Sequence, residues 1–512
     1  MNGAESLVHT LINCGVKVCF ANPGTSEMHF VAALDRIPGL RCVPGLQENV
    51  VTGMADGYGR VARMPAATLL HCGPGLANGL ANLHNAKKAR TPIVNIVGEQ
   101  ATYHGAYNPP LATDTQALAK SVSHWVRTSM RASDVGRDGA EAVCAANSGA
   151  GQIATLILPS DSSWTEGGVV AQSSESPSAA AIDIDAIKNA AQVLTSHSNV
   201  LLLLGAEALL ETALLEAAHI TAKTGCRVMA ESINGFHQRG RGRLPLERVP
   251  YGADAAIATL KDVQHIVLVG AREPVGFFAY PRRPSLHAPE GVSTVHLCKA
   301  GQDAAKALAM LADEIGAPRT ANVSNQPRVD IPRGLPSSEG FGRMLAAVLP
   351  DNAIVVDEAI SFGVHLLANS HSAAPHDWMM VTGGAIGYGM PCAAGAAIAG
   401  VGRRVINVQA DGSAMYTIQS LWTQARENLP VTTVILNNGK YQILLGEYAG
   451  VGANPGRTAL DMLDLGNPAL DFVGLAKSMG VDAKRCDSLE ACAHLMLDSF
   501  RANGPFLIEL MI

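Results

Sequence analysis

The chain has 512 residues, of which 48% are hydrophobic and 16% are charged, and 44 acidic residues against 38 basic ones give a net charge of −6. This composition excludes a disordered chain, and at roughly 150 residues per domain the length predicts about three domains. No cluster of Lys and Arg marks a nucleic-acid partner or a membrane surface.

The remaining bulk features predict a reduced, cytoplasmic protein. The most strongly apolar run, Val200–Leu204, is far shorter than the roughly 20 residues of a membrane-spanning helix, so we expect no membrane partner. The N-terminus lacks the basic region of a signal peptide. Ten cysteines are scattered singly along the chain, which argues against zinc ribbons, disulfide frameworks and iron–sulfur clusters.

Short β-rich runs alternate with helical patterns, and most of the runs are continuously apolar, as expected for parallel strands buried on both faces. In chain order, the predicted strands are Ala67–His71, Pro92–Val97, Ala154–Leu158, Val200–Leu204, His265–Val269, Ala353–Val356, Arg404–Gln409, Val431–Leu436 and Phe506–Leu510. The predicted crossover helices include Ala186–Leu194, Ala206–Thr224 and Gln419–Glu427. The pattern predicts an α/β protein with parallel sheets.

Two stretches with the composition of linkers divide the chain. Thr165–Ala181 is rich in Gly and Ser, and Pro318–Glu339 contains four prolines. The division gives predicted domains at residues 1–165, 182–317 and 340–512. We expect three doubly wound parallel-sheet domains.

The strongest chemical signal is in the third piece, where Asp411 follows one predicted strand and Asn438 follows the next. Both residues are therefore expected at the carboxyl edge of a parallel sheet, where such sheets bind ligands. A carboxylate, an amide oxygen and a backbone carbonyl suit Mg²⁺. Gly412 and Ser413 could offer a backbone N–H and a hydroxyl to a phosphate. Each motif alone is also a common turn, but the pair at this spacing favours function.

This arrangement resembles the Gly-Asp-Gly-Ser and Asn-Asn fingerprint of thiamine-diphosphate (ThDP) enzymes in the pyruvate decarboxylase and acetolactate synthase superfamily, over the whole chain. Ala410 replaces the first glycine, and we expect its methyl group to be tolerated if its φ is negative. The resemblance implies ThDP and Mg²⁺ as cofactors. It implies Asp411, Asn438 and the carbonyl of Lys440 as metal ligands, with Gly412 and Ser413 beside the diphosphate.

Two further stretches resemble cofactor contacts of this superfamily. Ser361 matches a diphosphate-contacting position of benzoylformate decarboxylase, although an ordinary helix N-cap is an equal alternative. The run Gly383–Pro391 resembles the glycine-rich loop beneath the cofactor. In that match Gly384 is a cofactor-binding residue, and Ile386 is the bulky residue that holds ThDP bent.

The first piece resembles the other half of such a site. Glu48, ahead of the run Ala55–Arg60, matches the glutamate that activates the cofactor, and we expect it to be desolvated with a raised pKa. The alternative is a surface glutamate that opens a helix. Asn22–Glu27 resembles the loop of benzoylformate decarboxylase that carries an active-site serine, with Thr25 at the serine position. His71 matches an active-site histidine that could act as a general acid, against the alternative of a structural histidine.

The middle piece resembles the central domain that holds FAD in acetolactate synthase. The end of its first predicted strand carries a single glycine, Gly205. One glycine is too weak a signal to predict a dinucleotide-binding site, so FAD is not expected. The second histidine of benzoylformate decarboxylase is replaced by the aromatic stretch Phe277–Tyr280. This stretch could line an apolar substrate pocket or pack an interface.

The resemblance implies decarboxylation of a 2-oxo acid, with release of an aldehyde or carboligation to a second carbonyl, as in acetolactate synthase. The alternatives are a benzoylformate-decarboxylase-like enzyme, a lyase for 2-hydroxyacyl or diketone C–C bonds, and a non-catalytic ThDP-binding subunit. It also implies a homodimer or homotetramer with shared active sites, in which Glu48 and Asp411 come from different subunits. The expected small-molecule partner is the 2-oxo acid, and no nucleic acid is expected.

Overall fold

The computed structural model describes residues 1–173, 179–321 and 323–512. The predicted linker Thr165–Ala181 therefore lies partly outside the described residues, as does one residue of Pro318–Glu339. The strands in chain order are β1 Val18–Asn22, β2 Arg41–Pro44, β3 Ala66–Leu70, β4 Ile93–Glu99, β5 Trp125–Thr128, β6 Ile153–Pro159, β7 Val200–Leu204, β8 Arg227–Ala230, β9 His237–Arg239, β10 His265–Val269, β11 Ser293–Cys298, β12 Ala353–Glu358, β13 His376–Met380, β14 Val405–Ala410, β15 Val431–Asn437, β16 Asp482–Cys486 and β17 Phe506–Met511.

The α-helices surround these strands. In chain order they are α1 Gly3–Asn13, α2 Met28–Arg36, α3 Glu48–Ala62, α4 Cys72–Ala89, α5 Thr115–Val122, α6 Ala132–Ala146, α7 Ser160–Trp164, α8 Ile184–Ser196, α9 Glu211–Thr224, α10 Ala253–Leu260, α11 Ala304–Glu314, α12 Ser338–Val348, α13 Leu366–Asn369, α14 Gly389–Ala399, α15 Asp411–Ala414, α16 Ser420–Arg426, α17 Gln442–Val451, α18 Arg457–Leu463, α19 Phe472–Ser478 and α20 Leu489–Arg501. In the described residues, no helix is both long and apolar enough to cross a membrane.

The strands form three sheets, which confirms the predicted fold class. The first has the order β2-β1-β3-β4-β6-β5 and the second has the order β11-β10-β7-β8, and every pairing within both sheets is parallel. The third has the order β16-β17-β15-β14-β12-β13-β9. All nine predicted strands are present, each within two residues of its predicted bounds at either end.

One strand of the third sheet comes from the middle of the chain. β9, which lies in the segment predicted as the central domain, pairs antiparallel with β13 at the edge of the third sheet. Its Arg239 is buried, and the guanidinium donates to the carbonyls of Leu246 and Leu367 at 2.8 Å each. Burial lowers the pKa of Arg239 to about 9. The middle and third parts of the chain are thus joined by backbone pairing.

The first and third parts meet where α3 packs against α14. Glycines permit this close approach: a methyl group on Gly57 would lie 2.0 Å from the carbonyl oxygen of Cys392, and one on Gly395 would lie 1.9 Å from that of Met54. Close backbone packing of two helices requires small residues at the contact. The apolar residues of both helices lie in one buried cluster that spans the two parts. This packing brings the glycine-rich loop that precedes α14 against the first part.

Candidate active site

The predicted metal-binding motif lies at the carboxyl edge of the third sheet, where hydrogen bonds hold its carboxylate in place. Asp411 follows β14 and is buried; its Oδ2 accepts N–H groups of Asn438 at 3.0 Å and Gly439 at 2.8 Å, and its Oδ1 accepts the N–H of Gly412 at 2.8 Å. Burial raises the pKa of Asp411, and these N–H groups oppose that shift. Because the carboxylate is pinned by the loop after β15, its oxygens and the Asn438 side chain share one small cavity.

The donor set of this cavity fits Mg²⁺ and a diphosphate. The lining includes Ser361, Ile386, Asp411, Ser413, Asn438 and Lys440. A carboxylate, an amide and backbone carbonyls are hard oxygen ligands of the type that Mg²⁺ prefers. Ser361 lies in a 3₁₀ turn and is not its N-cap, which is Ala359, so the alternative of a capping serine was wrong.

Neighbouring aromatic and amide groups shape the same cavity. Tyr441 lies directly over Gly412, where a methyl group would come within 2.4 Å of the ring. Ser413 is buried, its Oγ accepts from Gln409 Nε2 at 2.5 Å, and it donates to the carbonyl of Ala410 at 3.1 Å. Ala410 has φ −75°, so the expectation that a methyl group is tolerated there is confirmed.

The glycine-rich loop, residues 383–391, is held by hydrogen bonds to two side chains, one near each end of the loop. Glu358, at the end of β12, accepts the N–H groups of Gly387, Tyr388 and Gly389. Asn85, on α4, accepts N–H groups at the other end of the loop. Ile386 lies between these two anchors and is half-buried, while its side chain lines the cavity.

Gly384 faces the middle part of the chain instead of the cavity. Its φ is +74°, a conformation that side chains rarely adopt. A methyl group on it would lie 2.4 Å from the ring of Phe277. The predicted role of Gly384 in holding the cofactor therefore depends on its backbone alone, because the space above its Cα is filled by an aromatic ring.

A second cluster lies at the carboxyl edge of the first sheet. The His71 ring follows β3, and its Nδ1 lies 3.1 Å from each carboxylate oxygen of Glu27. Glu27 is buried and also accepts the N–H of Gly24 at 2.7 Å. The hydroxyl of Ser26 lies 3.1 Å from His71 Nδ1 and also contacts Glu27. The His71 side chain is 23% exposed, so it is anchored on one side and accessible on the other.

The residues of this cluster differ from those picked out in the sequence. Thr25 is exposed, whereas its neighbour Ser26 contacts His71. Ser26 Oγ also lies 3.2 Å from the Cys72 thiol, whose pKa is raised to about 11 by burial. Ser26, Glu27 and Cys72 were missed as candidates. The signal that could have found Glu27 is an acidic residue in the loop that follows one strand, where a histidine directly follows the neighbouring strand of the same sheet.

Glu48 lies beside this cluster at the start of α3. Its Oε2 accepts from Asn78 Nδ2 at 3.1 Å, and its Oε1 lies 3.3 Å from the point where a methyl group on Gly75 would sit. The Cβ of His71 is 3.4 Å from that same point. Glu48 and His71 therefore flank one small gap over Gly75. Within the single chain Glu48 is only half-buried, so its predicted desolvation stays a prediction.

A contact from the middle part of the chain borders the third-sheet cavity. Tyr280 Oη donates to Glu447 of α17, with distances of 3.0 and 3.3 Å to the two carboxylate oxygens. Burial and this hydrogen bond raise the pKa of Tyr280 to about 12, so its phenol remains the donor. The aromatic stretch Phe277–Tyr280 thus bridges the glycine-rich loop and α17.

The two clusters occupy separate surfaces of the chain. Among the described residues, every one that lines the third-sheet cavity lies between Ala359 and Ile512. The cluster of Glu27, His71 and Glu48 belongs to the first sheet. The structure of the single chain therefore does not bring Glu48 and His71 into the cavity that contains Asp411 and Asn438.

Comparisons with known proteins match the first and the third parts of the chain to two family models. Residues 1–118 match the family described as thiamine pyrophosphate enzyme, N-terminal TPP binding domain, and residues 362–510 match the corresponding C-terminal TPP binding domain. A protein of Mycobacterium tuberculosis that carries the provisional name acetolactate synthase large subunit IlvX is 49% identical over 519 aligned residues, covering 100% of this chain and 99% of that one.

Two decarboxylases are more distant relatives. Benzoylformate decarboxylase of Pseudomonas aeruginosa is 28% identical, with coverage of 97% of this chain and 96% of that protein. Among solved structures, the thiamine diphosphate-dependent 4-hydroxybenzoylformate decarboxylase of Rhodococcus jostii superimposes with a TM-score of 0.84 at 26% identity, covering 99% of this chain and 98% of that one.

Proposed function

The chain belongs to the thiamine pyrophosphate enzyme family, and we propose that it is a Mg²⁺-dependent decarboxylase or carboligase of a 2-oxo acid. The observation that carries the proposal is the pinned Asp411 carboxylate beside Asn438, at the edge where a parallel sheet binds ligands. The carbonyl of Lys440 completes the proposed metal ligands. Ser361, Gly412 and Ser413 lie where they could contact the diphosphate.

Thiamine diphosphate, when bound, supplies the nucleophilic carbon that adds to a keto group and accepts the electrons released with CO₂. The protein itself would position the cofactor and the substrate, exclude water and move protons. Glu48 would share a proton with the cofactor's pyrimidine ring. A second subunit packed over Glu48 would exclude water from the carboxyl group and so favour that exchange.

His71 is proposed to deliver or receive a proton at the reacting carbon. Glu27 accepts from Nδ1, which orients the ring and leaves Nε2 as the nitrogen that exchanges a proton. Ser26 contacts the same ring, and its exposed neighbour Thr25 is proposed to lie near the reacting carbon.

The proposed active unit is a homodimer, or a homotetramer built from such dimers. The third-sheet cavity is lined by residues 359–512, and we propose that the Glu48 and His71 cluster of another copy of the chain completes it. FAD is not expected to be required. A monomer with full activity in gel filtration would contradict the proposed assembly.

A benzoylformate-decarboxylase-like reaction is the second candidate, because of the Glu27–His71 pair with its serine neighbour. The aromatic stretch Phe277–Tyr280, which borders the glycine-rich loop, is also compatible with an aryl substrate. A lyase for 2-hydroxyacyl or diketone bonds would use the same proposed groups. A non-catalytic ThDP-binding subunit is disfavoured by the retention of Glu48, Asp411 and Asn438 together.

The proposal is tested by titrating the protein with ThDP and Mg²⁺ in calorimetry and circular dichroism, followed by addition of pyruvate or benzoylformate. We expect saturable, metal-dependent binding and release of CO₂ from one of the two acids. The preferred acid separates the acetolactate-synthase-like reaction from the benzoylformate-decarboxylase-like one. Absence of ThDP binding would overturn the proposal, and binding without CO₂ release would favour the lyase or the non-catalytic subunit.

A further inference from the structure

We propose that Glu358 and Asn85 are positioning residues that clamp the glycine-rich loop from opposite ends and so fix Ile386 in the place that receives the cofactor. This inference rests on the proposed use of ThDP. Neither residue lines the cavity itself, so both would act through the loop backbone.

The Glu358 half of the clamp is a buried carboxylate with four neutral donors. Its Oε1 accepts the N–H groups of Gly387 at 2.8 Å and Tyr388 at 3.2 Å, and its Oε2 accepts that of Gly389 at 2.7 Å. Gln409 Nε2 donates to Oε2 at 2.7 Å. The side chain is 1% exposed, and no cation is among these partners. Burying a carboxylate without a cation costs free energy, which hydrogen bonds from the loop N–H groups offset, so the carboxylate and the loop backbone stabilise each other.

The Asn85 half grips the other end of the loop. Its Oδ1 accepts the N–H groups of Gly383 at 3.1 Å and Ala385 at 3.2 Å, and its Nδ2 donates to the carbonyl of Ala385 at 2.7 Å. The backbone carbonyl of Asn85 accepts the hydroxyl of Thr382 at 2.6 Å. The same side chain is braced by a neighbouring asparagine, Asn82, at 2.9 Å.

The loop needs such a clamp because no helix or strand holds it. Gly384 and Gly387 have φ values of +74° and +90°, so the backbone between them follows an irregular path. Two of its N–H groups before Ile386 and three after it are accepted by the side chains of Asn85 and Glu358. A residue that must support a bent ligand has to be held rigidly, and here the rigidity comes from Glu358 on one side and Asn85 on the other.

Glutamine at position 358 distinguishes this role from simple packing. The amide has nearly the same shape, but it replaces one acceptor oxygen with an NH₂ group that faces N–H donors. We expect Glu358→Gln to weaken ThDP binding by about 10-fold to 100-fold, from the loss of one or two hydrogen bonds to a charged acceptor. Asn85→Ala should weaken ThDP binding in the same direction.

The matched control is Asp138→Asn, which makes the same acid-to-amide change at a buried carboxylate of α6 that accepts from Ser129 and Arg127. Melting temperature, calorimetric ThDP affinity with Mg²⁺, and hydrogen exchange of the cofactor-free protein are measured for all variants. We expect faster exchange confined to residues 383–391 in Glu358→Gln. The control should lose stability without a comparable loss of ThDP affinity.

Three results separate the outcomes. Unchanged ThDP affinity in Glu358→Gln, or a loss that merely tracks the fall in melting temperature as in the control, would overturn the clamp. Unchanged exchange of residues 383–391 would also overturn it. If the wild-type chain binds no ThDP, the proposed function fails, while the exchange experiment still decides whether Glu358 holds the loop.

Discussion

Nδ1 of His71 lies 3.1 Å from each of the two carboxylate oxygens of Glu27, so one buried acid anchors the imidazole at the edge of the first sheet. This bidentate approach sets which ring nitrogen is engaged and which is left for chemistry. The pair depends on the fold, because the two residues follow neighbouring strands 44 positions apart.

Glu27→Gln is expected to lower kcat by about 100-fold, because the amide no longer holds His71 Nδ1 between two carboxylate oxygens and so no longer fixes the orientation of the ring. The KM for the 2-oxo acid should change less than kcat, since Glu27 is buried away from the exposed side of His71. Steady-state CO₂ release is the measurement. Glu5→Gln, a capping residue of α1, serves as the control, and an equal loss of activity there would contradict the assignment.

Glu48→Gln is expected to retain ThDP binding within about threefold while it loses activity by about 100-fold or more, because a proton-sharing carboxyl is replaced by an amide. Calorimetry with ThDP and Mg²⁺ reports the binding, and CO₂ release reports the chemistry. A variant that keeps full activity would show that Glu48 is the surface helix residue of the alternative interpretation.

Asp411→Asn should weaken Mg²⁺-dependent ThDP binding by about 100-fold, since it removes the only full negative charge among the three proposed metal ligands. Titration with Mg²⁺ at fixed ThDP measures the effect. Asp351→Asn, at an exposed turn before β12, is the control and should bind normally. Mg²⁺ affinity equal to wild type in Asp411→Asn would mean that the metal is held elsewhere.

The affinity for ThDP is expected to fall as the pH drops through about 7, because burial raises the pKa of Glu358 to about 7. The ionised carboxylate of Glu358 accepts a hydrogen bond from each of its four donors, and protonation of one oxygen removes one of these acceptor positions. If only the ionised form holds the loop, affinity at pH 6 should be about 10-fold lower than at pH 8. Glu358→Gln should lack this component while it keeps the ionisation of ThDP itself.

The groups that face Glu358 do not supply a competing titration near pH 7. Gln409 and Asn407 of β14 are neutral, and the pKa of the Cys392 thiol on α14 is raised to about 12 by burial. Behind Tyr388 lies the buried ion pair of Arg60 and Asp56.

The raised pKa of Glu358 also affects folding stability, because the folded chain binds the proton of this carboxyl group more tightly than the unfolded chain does. This group's contribution to folding stability therefore falls as the pH rises from 4.5 to about 7.

Gly57→Ala is expected to lower the free energy of unfolding by about 3 kcal/mol, because the new methyl group would lie 2.0 Å from the backbone carbonyl of Cys392. Gly446→Ala on α17 is the matched helical control: no atom lies within 4 Å of the new methyl group. It should be neutral or stabilise by up to about 1 kcal/mol. Denaturant unfolding measures both, and equal effects would contradict the tight α3–α14 contact.

The sequence was sufficient for the features that depend on local pattern. Apolar runs predicted nine of the seventeen strands in the described residues, and the negative φ expected of Ala410 is confirmed. β9 was missed because three residues, His237–Arg239, carry too little periodicity to separate a strand from a loop. Its antiparallel pairing with a distant strand leaves no trace in local composition.

The candidate site could be predicted only in part. Asp411, Asn438 and His71 sit at strand ends and follow recognisable motifs, so their neighbourhoods could be inferred. Asn85 could not, because its role depends on how α4 packs against a loop 300 residues away in sequence. Ser26 was passed over for Thr25 because a one-residue difference in side-chain direction is invisible until the turn is built.

The pairing of β9 with β13 limits how this protein can be divided or recombined. A third part produced without residues 237–239 would leave β13 as an open edge, with Trp378 and its neighbours beside unpaired backbone groups that invite association with other chains. An exchange of middle segments between relatives would have to carry a matching edge strand along with the four-stranded sheet. The second and third parts therefore cannot be exchanged independently, because they share a sheet.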